Sequence, residues 1–206
     1  MKTAFRGIAL LALFMAFAEP AFATLPASDN FSGTTLDANW TIRTGTFQVA
    51  SGVVSSTTSG ESDAIWNADT FPNDQWSQIT AESNTTGDYE GVILRANSSG
   101  SMTYYGCRGN ASGGGSVEIY KEISGTYTSL ITHATTFGTG SVLKCTVVGT
   151  TITLYVNGTQ VTQTTDSSIT SGSAGIFLYG TTSSLGTWSA GAMSSGVVPS
   201  AMFLGF

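Results

Sequence analysis

Apolar and polar residues alternate along most of this chain, most clearly in residues 141–161, SVLKCTVVGTTITLYVNGTQV. Leu143, Cys145 and Val147 alternate with Lys144, Thr146 and Val148. Past a turn at Gly149-Thr150-Thr151, Ile152, Leu154 and Val156 alternate with Thr153 and Tyr155. Successive strand side chains point to opposite faces, so the pattern predicts strands with one apolar and one polar face. Asn157-Gly158 comes next, a dipeptide suited to the positive φ angles of a tight hairpin. A three-stranded meander is barely stable alone, so its apolar face predicts burial against a second sheet.

The same rhythm runs through residues 47–54 (a hairpin turning at Gly52), 64–66, 76–83, 91–97, 102–108, 117–123, 127–132, 174–180 and 185–192. In 76–83, Ile79 and Ala81 share one face, with Gln78, Thr80 and Glu82 on the other. In 91–97, Val92, Leu94 and Ala96 share a face opposite Ile93 and Arg95. Residues 29–40, DNFSGTTLDANW, form an opening segment whose Phe31 and Trp40 suit the end of a sandwich. Turn signals recur about every 8–12 residues, the rhythm of all-β sandwiches and barrels. No stretch keeps a helical period for three turns. The expected fold is all-β, a two-sheet antiparallel sandwich.

Residues 1–23 stand apart from this pattern. Lys2 and Arg6 precede an apolar run over 7–18, and Ala21-Phe22-Ala23 supplies the small residues that signal peptidase needs. The expectation is a signal peptide over 1–23, one sandwich domain over 24–195 and a C-terminal tail over 196–206. The tail, GVVPSAMFLGF, is too short to span a bilayer. This places the protein outside the cytoplasm: secreted, at the cell surface, or in a periplasm. The 13 acidic residues outnumber 7 basic ones, for a net charge of −6. Such a surface repels phosphate backbones and argues against a nucleic-acid partner. Cys107 and Cys145 both fall on apolar strand faces, which admits either a disulfide or two buried thiols.

The DNF…W opening, GVILRA, Tyr104-Tyr105, EIYKEISGTYTSL, the 141–161 run and SAGIFLYG follow one another in a recognisable order. Together they resemble the concanavalin A-like lectin/glucanase superfamily, especially its laminin-G-like bacterial members, over roughly residues 27–193. The resemblance implies a jelly roll of two curved sheets, with ligands on the concave sheet or its rim loops. Lectins, binding modules, hydrolases and lyases all use this fold, so the fold does not choose among them.

Catalytic motifs are not assembled. Glucanases of the superfamily carry Glu, Asp and Glu at alternate positions of one strand. Here Glu61-Ser62-Asp63 supplies two, Ile65 replaces the third, and the stretch is turn-rich. Glu118 and Glu122 share a strand face about 13 Å apart, and with Lys121 nearby they read as a solvated face. His133 has no marked triad partners, and no Gly-x-Ser-x-Gly is present.

Binding has more support, since sugars stack on aromatic rings and pair their hydroxyls with polar groups. Outward positions offer Trp76, Gln78, Glu82, Arg95, Tyr104 and Arg108 as ligand-binding candidates; the structural alternative pairs Arg95 with Glu82 or Glu90. The resemblance also implies calcium, for which Asp29, Asn30 and Asp37 are the donor candidates. The leading expectation is a secreted, lectin-like carbohydrate-binding module without catalysis, its partner a polysaccharide or glycan. The alternatives are an adhesive surface protein and a hydrolase or lyase.

Overall fold

The structure, a computed structural model, describes residues 25–83 and 87–193. The signal-peptide and tail expectations, with both domain boundaries, fall outside the described residues.

Fifteen strands follow in chain order: β1 (Ala27–Asp29), β2 (Trp40–Thr44), β3 (Phe47–Ala50), β4 (Val53–Ser56), β5 (Glu61–Trp66), β6 (Gln75–Ser83), β7 (Tyr89–Ala96) and β8 (Tyr104–Asn110), then β9 (Ser116–Ile123), β10 (Thr126–Ala134), β11 (Val142–Val148), β12 (Thr151–Val156), β13 (Thr159–Thr165), β14 (Ser173–Tyr179) and β15 (Ser184–Ala192). An eight-stranded sheet runs β13-β12-β11-β6-β15-β4-β3, with β1 added along β15. A seven-stranded sheet runs β10-β9-β8-β7-β14-β5-β2. The β11–β13 meander forms as its alternation predicts, turning at Asn157 (φ 51°) and Gly158 (φ 78°). The architecture is a two-sheet antiparallel jelly-roll sandwich, and no α-helix occurs among the described residues.

The interior is built from one parity of each strand. Val92 and Leu94 of β7, Tyr105 and Cys107 of β8, and Ile176 and Leu178 of β14 face Ile79 of β6, Leu143 and Cys145 of β11, and Leu154 of β12. Burying each such side chain contributes on the order of 1.5–3 kcal/mol. Trp40, Trp66 and Trp188 fill one region of this core, with ring centroids 4.7–5.1 Å apart. Their polar edges are satisfied: Trp40 Nε1 donates to Asp29 (2.7 Å) and Trp188 Nε1 to Ser77 (2.9 Å). Cys107 and Cys145 form a disulfide between the two sheets, with Cα atoms 6.0 Å apart.

Three local expectations are corrected. Glu61-Ser62-Asp63 belongs to strand β5, paired through Asp63↔Phe177 with β14, and not to a turn. Glu118 and Glu122 are buried rather than solvated, because bulky tyrosines of neighbouring strands cover them. In β7 the alternation breaks at Arg95, which has φ 52°, an uncommon angle for a residue with a Cβ. Ala96 therefore packs against Ile93 on the outer face instead of joining Val92 and Leu94.

Candidate functional site

The outer face of the seven-stranded sheet is unusual because it is apolar at its centre. Ile65, Ile93, Tyr104, Tyr120 and Phe177 pack there into a second buried cluster, with Tyr89 against its edge. A floor of this kind needs room above the strands, and Gly106 provides it. A Cβ at Gly106 would lie 2.2 Å from the Tyr120 ring, so a side chain there would displace it. Tyr120 lies edge-on to Tyr104 and to Phe177, both at 5.7 Å.

On this floor sits a cleft of about 480 Å³ lined by Glu61, Gly87, Tyr89, Arg108, Tyr127 and Tyr179. Arg108 is its cation and is held from every side. Its guanidinium carbon lies 4.4–4.9 Å from the ring centroids of Tyr89, Tyr120 and Tyr127. Its Nε and a terminal nitrogen each reach Glu118 at 2.8 Å. Tyr127 donates its hydroxyl proton to the same Glu118. Such a caged, paired arginine is pre-oriented and loses little freedom on meeting a ligand.

Beside this balanced pair lie three acids without a cation. Glu61 and Asp63 come from β5 and Glu122 from β9, and none takes part in an ion pair among the described residues. The Tyr104 hydroxyl reaches Glu61 at 3.2 Å, Glu122 at 3.3 Å and the Tyr120 hydroxyl at 3.3 Å. Asp63 is 0 % exposed, and neither of its oxygens makes a well-formed hydrogen bond, with Glu61 and Thr44 within reach. Burial, reinforced by Glu61, pushes the Asp63 carboxyl well above the usual carboxylate range. Burial and then the Glu61 charge push Glu122 up to about 7. The Tyr104 and Tyr120 hydroxyls are raised too, first by burial and then by neighbouring ionisable groups.

The six sequence-predicted binding residues do not come together. Tyr104 and Arg108 share the outer face of the seven-stranded sheet. Trp76, Gln78 and Glu82 lie on β6, on the outer face of the other sheet. There Lys144 sits 4.5 Å from the Trp76 ring centroid, and Gln78 borders a second cleft of about 370 Å³ with Lys144, Thr146 and Tyr155. Arg95 is buried and ties loops together, donating to the carbonyls of Asn73, Ile169 and Gly149. Its acidic neighbour is Asp74 at 3.6 Å.

Asp29, Asn30 and Asp37 each accept local hydrogen bonds. Asp29 accepts from Phe31 N and Trp40 Nε1, Asn30 from Ser32 N, and Asp37 from Asn39. These oxygens close turns and fix a core tryptophan. Among the described residues no three His, Cys, Asp or Glu side chains are placed to hold a metal ion.

Sequence reasoning weighed Glu61, Asp63, Glu118 and Glu122 and set them aside, and did not single out Tyr89, Tyr120, Tyr127 and Tyr179. The signal was partial: Glu118, Tyr120 and Glu122 alternate on one face of β9. Their partners on β5, β8 and β10 follow from strand order, which alternation does not reveal.

No protein-family model and no curated protein matches this chain. Solved structures do match in fold. A carbohydrate-binding module, CBM66 from Bacillus subtilis, superposes with TM-score 0.60 at 16 % identity, over 75 % of this chain and 92 % of that one. The calcium- and Man2-bound exoplasmic/lumenal domain of VIP36 gives 0.64 at 10 % identity, over 84 % and 90 %. A prokaryotic β-1,3-1,4-glucanase derived from a mouse hindgut metagenome gives 0.59 at 9 % identity, over 81 % and 99 %. The fold is the concanavalin A-like jelly roll. Among the described residues no helix is long and apolar enough to cross a membrane.

Proposed function

We propose that this protein is a glycan-binding module acting outside the cytoplasm, and that it binds through the outer face of its seven-stranded sheet. The observation that carries the reading is the tyrosine-walled cleft. Its volume, about 480 Å³, is within the usual range for small-ligand sites. Tyr89, Tyr127 and Tyr179 offer ring faces to sugar C–H groups, and Arg108 and Glu61 offer a fixed donor and acceptor to hydroxyls. Structures of similar fold named for carbohydrate binding support the reading, as do the leader-like residues 1–23 and the intersheet disulfide, which suits an oxidising compartment.

One observation favours a second reading, glycoside hydrolysis. Glu61 and Glu122 approach a common hydroxyl from opposite strands, and paired carboxylates are what that reaction requires. A single experiment addresses both: pull-down on neutral, acidic and amine-bearing polysaccharides, with soluble sugar assayed in the supernatant. Retention without sugar release is expected. Tyr179→Ala, at a position 40 % exposed, should weaken retention about tenfold or more, whereas Trp76→Ala should not change it. Failure of every polysaccharide to retain the protein would refute the module reading. Release abolished by Glu122→Gln would replace it with the second.

A further inference from the structure

The donor count around Glu61 leads beyond glycan binding in general. Three carboxyl groups, Glu61, Asp63 and Glu122, cluster beside the phenols of Tyr104 and Tyr120, with the Thr44 hydroxyl within reach of Asp63. Each phenol carries one proton. If Tyr120 donates to Tyr104, then Tyr104 serves one carboxylate, and Asp63 and Glu122, which hold their own protons, are left to share them with Glu61. Asp63 is wholly buried and makes no well-formed hydrogen bond on either oxygen, with only Glu61 and Thr44 within reach, so the weakest pairing lies inside the cluster and not at its rim.

The charge count points the same way. Arg108 also lines the cleft, but Glu118 neutralises it at 2.8 Å. The remaining ionisable groups facing the cluster, Tyr89, Tyr127 and Tyr179, carry no positive charge, and Thr44 of β2 lies opposite Asp63 in the sheet. A neutral sugar would supply hydroxyl protons yet leave the Glu61 charge without a cation, with Asp63 and Glu122 still holding their protons in a desolvated place. An ammonium group supplies three donors together with the missing charge, and aromatic ring faces attract it as well.

We infer that the ligand of this cleft is an amine-bearing glycan, its ammonium group seated at Glu61 beside the paired rings of Tyr89 and Tyr179. The inference rests on the glycan-binding reading and narrows it to a substrate class. Those two rings stand edge to face at 6.3 Å beside Glu61. Asp63 and Glu122 act from behind Glu61, as charge that the ligand draws out. The bound ammonium favours their ionised forms, so binding releases protons to the solvent.

Isothermal titration of the full chain at pH 6 tests this with three β-1,4-linked hexamers: glucosamine, N-acetylglucosamine and glucose. The glucosamine hexamer should bind at least about tenfold tighter than either uncharged one, as charge-assisted hydrogen bonds are roughly twice as strong as neutral ones. Its apparent enthalpy should vary with the ionisation enthalpy of the buffer, because protons leave. Glu61→Gln should bring it down to the level of the uncharged hexamers, and Glu82→Gln, on the other sheet, should leave it unchanged. Equal or tighter binding of an uncharged hexamer overturns the amine assignment while the glycan reading stands. Equal weakening by Glu61→Gln and Glu82→Gln overturns it too, because that is general attraction to an acidic protein. Binding of none of the three overturns it, and retention in the polysaccharide pull-down then decides separately whether the broader reading survives.

Discussion

The two outer faces of this sandwich obey the same alternation and end in opposite states. On the eight-stranded sheet the outward residues are mostly short hydroxyls and long polar chains, with Trp76 and Tyr155 among them, and some satisfy one another, as Thr80 and Thr187 do at 2.9 Å. On the seven-stranded sheet the outward residues are tyrosines, a phenylalanine and acids, and their bulk excludes the water that the acids need. A polar group shielded by large neighbours costs free energy unless a partner arrives. The lesson is that the same alternation leaves acids solvated on the first face and buried on the second.

The sharpest way to break this contrast is to remove its central cation. Arg108→Ala leaves Glu118 buried without its partner, and losing one member of such a pair costs about 3–5 kcal/mol. Thermal unfolding should fall accordingly, and affinity for any glycan should fall with it. The matching change on the other face, Lys144→Ala, should stay within about 0.5 kcal/mol and leave binding intact. Comparable losses from the two substitutions would erase the distinction between the faces.

A smaller effect comes from pH. Glu122 holds its proton more tightly folded, with a pKa of about 7, than unfolded. The stability it contributes is therefore full below the ordinary glutamate range and is lost as pH rises through about 7. After allowance for solvent screening this is about 1 kcal/mol, or roughly 2–4 °C in Tm between pH 5 and 8. Glu122→Gln should flatten that decline. Asp166 behaves oppositely: burial works against its charge, but Lys121 at 2.6 Å, Ser168 and Tyr105 hold it below the usual carboxylate range. Its contribution is present above about pH 4 and is lost as pH falls below that. A Tm that rises from pH 5 to pH 8 would contradict the buried-acid account.

Much of the sandwich was legible before any coordinates. Leu143, Cys145 and Val147 announce an inward face, Asn157-Gly158 announces its hairpin, and both appear where alternation put them. Residue parity within a strand is local information. The candidate cleft is not local, since Glu61, Tyr104, Glu122 and Tyr179 reach it from four strands whose order along the sheet is set by long-range pairing. Trp76 and Gln78 were attractive for their chemistry and point outward as expected, but on the other sheet. Arg95 misled in another way: a left-handed backbone angle turned a surface cation into a buried clasp for three loop carbonyls. Glu118 and Glu122 read as solvated because four residues separate them along the strand, while the rings that bury them come from neighbouring strands.

The most direct test of the central claim is a shift map of the isotope-labelled chain by heteronuclear NMR, titrated with whichever oligosaccharide binds it most tightly. The account predicts that the largest changes fall on Glu61, Tyr89, Arg108, Tyr127 and Tyr179, with Trp76, Lys144 and Tyr155 unmoved. Changes concentrated on those last three residues, with the tyrosine cleft silent, would contradict it.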